Sequence, residues 1–122
     1  MARERLYREW RPTELLPATI TPAEARDVII ECFHTVHGPH FEQTKAALGI
    51  GVDHHRVRRS AKGVIRLAFK SVQGNYDEPT RDELLKVIHA LTEQSRSWGT
   101  PDVVIERHAN QLRRVVSRVK EN

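Results

Sequence analysis

Along most of this chain, apolar residues recur at intervals of three and four, and clusters rich in glycine, proline and polar residues interrupt the pattern. At 3.6 residues per turn that spacing gathers apolar side chains on one face of a helix. Thr21-Pro22-Ala23-Glu24 reads as a capping box with proline at the first helical position. Ala25, Val28, Ile29, Cys32, Phe33 and Val36 follow as an apolar face, widened by Ile30 and His37. A face that wide predicts a central helix, about 21–37, that meets more than one neighbour. Gly38-Pro39 predicts its end, because the residue before a proline is biased away from helix. A short helix is expected next, at about 39–48, with Phe41 and Leu48 inward, and then a turn at Gly49–Val52.

Asp53 is a good N-cap for a helix over about 53–73. Val57, Ala61, Val64, Ile65, Ala68 and Val72 fall on one side of it; His55, Arg59, Lys62, Arg66 and Lys70 line the other. Asp77-Glu78-Pro79-Thr80 opens a helix over about 79–98, with acids where the helix dipole favours them. Its inner face is predicted to carry Leu84, Leu85, Val87, Ile88, Leu91, Ser95 and Trp98, and Gly99 to close it. Thr100-Pro101 is expected to cap a last helix over about 101–120, where Val104, Ile105, His108, Leu112, Val115, Val116 and Val119 share a side. Valine costs up to about 0.7 kcal/mol against alanine in a helix, yet a strand would need strict alternation, which is absent. These elements predict an all-α fold: a four- to five-helix bundle with a short N-terminal arm over residues 1–20. In the arm, Trp10 and the leucines would anchor against the bundle.

Composition narrows the setting. A chain of 122 residues is one domain, 1–122, able to bury roughly two-thirds of its unfolded surface. Its net charge of +4 is unevenly spread: residues 51–75 hold six Lys and Arg against Asp53 alone, and the segments on either side are acidic. The lone Cys32 cannot staple a small domain, which suggests a reduced, intracellular protein. MARERLYREW contains no apolar signal-peptide core, and no stretch approaches the ~20 apolar residues of a membrane span, so a cytoplasmic location without membrane contact is expected.

Three kinds of chemistry come into question. A row of cations on one helix neutralises successive phosphates and releases counterions; Arg59, Lys62, Arg66 and Lys70 would make those contacts, with His55, Arg56 and Arg58 beside them. In outline, a short helix, the turn at Gly49–Val52 and this basic helix resemble a helix-turn-helix over about residues 39–66, although no Asn or Gln stands in the first turns to read adenine. The same face could meet an acidic protein, or be neutralised within the fold by Asp77, Glu78, Asp82 and Glu83. A second chemistry is metal binding: if the chain folds back, His37, His40 and His54 could converge on zinc or iron. Against it, Glu31-x-x-His34 occurs once, where a di-iron bundle needs the motif twice. The third is catalysis, for which the chain offers no phosphate loop, Gly-x-Ser-x-Gly elbow or His-Glu-x-x-His. The reading that follows is a non-enzymatic interaction protein without a cofactor, binding nucleic acid or another polyanion through the helix at 53–73, with a homodimer through apolar faces as a further expectation.

Overall fold

The computed structural model describes Trp10 and residues 16–47 and 54–120, with side chains throughout except over 38–60. Among these residues four helices follow in order: α1 (Pro22–Ala47), α2 (His54–Ser71), α3 (Arg81–Ser97) and α4 (Asp102–Val116). The fold is an all-α bundle. α1 and α3 each pack against all three other helices, whereas α2 and α4 scarcely meet.

α1 begins as its sequence dictates. The Glu24 N–H donates to Thr21 Oγ1 and the Thr21 N–H to Glu24 Oε1, each at 3.1 Å, which satisfies two amides that the first turn leaves open. Ala25, Ile29, Ile30, Cys32, Phe33, Val36 and His37 are buried along it. The expected break at Gly38-Pro39 does not occur: α1 runs on to Ala47 and takes in residues 39–47 of the separate helix expected at 39–48, while Leu48 lies outside the described residues. Proline there removes one N–H and crowds the carbonyl of Thr35, costing about 3 kcal/mol. By continuing as helix, residues 40–47 keep the other backbone bonds of that segment, and the packed first four turns fix the axis along which it extends.

α2 buries Ala61, Ile65, Ala68 and Phe69, with Val64 and Val72 partly covered against the same core. It stops two residues before the expected 73, and the glycine is not where the backbone turns. Gln73 takes the left-handed conformation, at φ 56°, while the Gly74 N–H donates to Phe69 O at 2.8 Å and the Gln73 N–H to Lys70 O at 3.1 Å. Gly74 is needed for space instead: a Cβ there would lie 2.9 Å from Glu83 Oε2 and 3.1 Å from Phe69 Cδ1.

α3 starts two residues later than expected, with Thr80 as N-cap. Thr80 Oγ1 accepts from the Glu83 N–H, and Glu83 Oε1 accepts from the Thr80 N–H. The other carboxylate oxygen of Glu83 accepts from the Asn75 N–H at 2.6 Å, so one side chain ties the α2–α3 connection to the start of α3. Leu84, Val87, Ile88, Leu91 and Ser95 are buried, but Leu85 and Trp98 lie partly outside. Gly99, at φ 82°, ends the helix.

α4 is capped differently from expectation. Its N-cap is Pro101, without a side-chain hydrogen bond, and Thr100 plays no capping part. The helix ends at Val116 rather than near 120, because the chain turns at Ser117 and Arg118 and pairs with the arm. The Ile20 N–H donates to Arg118 O (3.0 Å) and the Lys120 N–H to Ile20 O (3.3 Å), forming a parallel bridge that buries Ile20 and Val119.

Trp10 is buried in the core, and its backbone N–H donates to His108 Nε2 at 3.2 Å. The other ring nitrogen of His108, Nδ1, lies 2.8 Å from Val104 O. An amide donating to Nε2 requires the proton on Nδ1, so both bonds hold with the neutral ring in one tautomer. His108→Ala strands the Trp10 amide in the core and is expected to cost about 1–3 kcal/mol. Urea unfolding measures that loss, and in a Trp98→Phe background the emission of Trp10 should shift to the red.

Glu83 generates a pH dependence. The Thr80 N–H above all, opposed by desolvation and helped by the Asn75 N–H, holds its carboxyl below the usual carboxylate range. A lowered folded value means that Glu83 stabilises the fold above its unfolded pKa, about 4.3, and loses that contribution as pH falls through the folded one. The gap in urea midpoint between wild type and Glu83→Gln should therefore be full at neutral pH and shrink below about pH 4.

Candidate functional site

The outward face of α2 is the first candidate. Lys62, Arg66 and Lys70 follow one another at four-residue intervals, about 6 Å apart along the axis. All three are exposed, and none makes an ion pair among the described residues. Arg59, Arg58, Arg56 and His55 occupy earlier turns of the same helix, and their side chains lie outside the described residues.

The acids expected to answer this face are engaged elsewhere or stand apart. Glu83 spends both carboxylate oxygens on backbone amides, and Asp82 pairs with Lys86 on its own helix at 3.0 Å. Asp77 and Glu78 direct their N–H groups to Asn75 Oδ1 (3.0 and 3.1 Å), and their carboxylates make no ion pair among the described residues. What the connection does contribute is Tyr76. Its ring lies 4.9 Å from the Arg66 guanidinium and 4.6 Å from that of Arg26, and meets Phe69 edge-on at 5.6 Å. Arg26 is held further by Tyr76 O at 2.7 Å and by Asp27. Among the described residues Arg66 has the ring contact alone, which leaves its N–H groups without a partner there while the ring restricts its stem.

Of the three histidines considered for metal, His37 is placed plainly. It is buried on α1, with Nε2 3.3 Å from Ser95 Oγ and its ring against Phe33 at 4.5 Å. His40 lies about one turn further along α1 and His54 starts α2, with side chains outside the described residues. Among the described residues, no group of three His, Cys, Asp or Glu could hold a metal ion. No helix among them is long and apolar enough to cross a membrane.

The second candidate is internal. Between α1, α3 and α4 lies a recess, partly open to solvent, with a cavity volume of about 50 Å³. Ile29, Phe33 and Val36 wall it from α1, Ile88 and Leu91 from α3, and Val104, Ile105 and Leu112 from α4. Polar groups reach it as well. Thr92 Oγ1 donates to Ile88 O at 2.6 Å, Ser95 meets His37, and His108 is held by Val104 O and the Trp10 amide. Thr100, 6% exposed, also lines the recess, and its hydroxyl has no hydrogen-bond partner among the described residues. Trp98 packs edge-on over Phe33 and His37, at 5.9 and 6.0 Å between ring centroids.

The sequence had placed Ser95 on the inner face, where a hydroxyl within an apolar stripe is a signal of buried polar chemistry. Thr100 carried no such signal, because Thr-Pro ahead of a helix reads as a cap. Tyr76 was hidden among the acids of its connection. The chain matches no known protein family, no curated protein and no solved structure.

Cys32 lines the recess too, and burial pushes its thiol well above the usual range. A protonated, covered thiol is a poor nucleophile. In native protein, a thiol reagent such as Ellman's should therefore label Cys32 no faster than the chain opens, with prompt labelling in denaturant; rapid native labelling would contradict this burial.

Proposed function

We propose that this protein is a non-enzymatic helical interaction module that binds a polyanion, nucleic acid in the first instance, through the outward face of α2. One observation carries the reading: Lys62, Arg66 and Lys70 stand exposed in a row, without a carboxylate partner among the described residues. A surface ion pair is worth only about 0–1 kcal/mol, so internal neutralisation would have been cheap to arrange; a face left open keeps its charge for a partner. Arg59 extends the row toward the start of the helix, and His55, Arg56 and Arg58 broaden it. The continuity of α1 through Gly38-Pro39 removes the compact first helix of the helix-turn-helix outline, which favours contact with phosphates over reading of bases. An acidic protein surface would use the same cations.

Affinity for duplex DNA measured against salt tests the proposal. Four contacts, from Arg59, Lys62, Arg66 and Lys70, predict a log–log slope near about −3.6, at about −0.9 per contact. Each of Lys62→Ala, Arg66→Ala and Lys70→Ala should reduce the slope by about 0.9 without changing which sequences bind. Absence of salt-dependent binding, or a slope indifferent to all three substitutions, would overturn it; binding to an acidic protein in place of DNA would assign the face to that partner.

A further inference from the structure

We infer that the recess between α1, α3 and α4 is a binding site for a small, uncharged, mainly apolar molecule carrying a single hydroxyl-like group, with the hydroxyls of Thr100 and Ser95 as its polar anchors. The inference is independent of the basic face on α2. Its first support is the character of the lining: among the described residues, aliphatic and aromatic walls without Asp, Glu, Lys or Arg, so that a charged ligand would meet no counter-charge from them. Its second is Thr100. A buried hydroxyl without a partner is costly to keep, and the expected use of this side chain, capping α4, does not apply because the N-cap is Pro101. Ser95 stands beside it, since the Thr100 N–H donates to Ser95 O at 3.0 Å. The Ser95 hydroxyl meets His37 only at 3.3 Å, a long contact for a hydroxyl.

Space sets the size of the ligand. An apolar cavity of about 150 Å³ accepts benzene; the roomy part of this recess is about 50 Å³. The matching class is a molecule of a few heavy atoms, such as a short-chain alcohol, with its chain among Ile29, Val36, Ile105 and Leu112.

Methyl-resolved NMR of the full chain titrated with 1-propanol tests this. Saturable shifts are expected at the methyls of Ile29, Val36, Ile105 and Leu112, and not at the exposed Leu67 and Val103. Thr100→Val should weaken the binding tenfold or more, while xenon, which needs no hydrogen bond, still shifts the same methyls in that variant. Shifts that grow linearly, or that spread equally to Leu67 and Val103, would overturn the site. Undiminished propanol affinity in Thr100→Val would overturn the role of its hydroxyl. Should that variant not fold, Ser95→Ala, a change a helix accepts readily, decides in its place: weakened binding supports the polar anchoring, and unchanged binding overturns it.

Discussion

Burial along α1 and α3 is the constraint from which the rest of the molecule follows, because these are the two helices that meet every other one. Ile29 on α1 and Leu84, Val87 and Ile88 on α3 are almost wholly removed from water, each worth about 1.5–3 kcal/mol relative to exposure. Both helices begin with reciprocal capping boxes, Thr21 with Glu24 and Thr80 with Glu83, so the open amides of their first turns are met within three residues. α2 and α4 then cover what the pair leaves open. Neither needs its outer face for the core, and this leaves α2 free to carry cations outward. The cost of placing three helices around α1 is that their side chains do not close completely, and the recess lined by Thr100, Ser95 and His37 lies where they part.

The connection between α2 and α3 links the core to the surface. Phe69 is buried under Gly74, where a Cβ would press on its ring and on the Glu83 carboxylate, and that carboxylate reaches the backbone at Asn75 across the same gap. Holding the chain there sets Tyr76 between Arg26 and Arg66. Of the acids in this segment, Glu83 thus serves backbone geometry and helix capping, and Asp82 pairs with Lys86 on its own helix, so neither answers the cations of α2.

Helix termini and inward faces were legible wherever short-range chemistry decides them. The inner side of α4, from Val104 to Val116, is buried as its spacing implies, and so is that of α3 at Leu84, Val87, Ile88, Leu91 and Ser95. Both capping boxes appear where Thr and Glu stand three apart. Legibility failed where distant parts of the chain compete with a local preference. Gly38-Pro39 reads as a stop, yet a helix already anchored by packing loses less by tolerating one missing bond than by abandoning several. Gln73 holds the left-handed turn beside a glycine required for its lack of a Cβ, a demand created by Glu83 and Phe69 together. Val119 is buried beyond the end of its helix because Ile20, nearly a hundred residues earlier, offers it a backbone partner.

The candidate sites divide along the same line. By itself the sequence determined that the chain is helical, where most of the apolar faces lie, and that its cations gather on one side of a single helix, because each of these depends on neighbours within four residues. Only the tertiary structure decided that Lys62, Arg66 and Lys70 are exposed, that His37 turns to Ser95, and that the Thr100 hydroxyl ends buried without a partner among the described residues. Those outcomes depend on which groups from remote segments arrive within hydrogen-bonding distance, and periodicity along a chain carries no information about what stands across from it.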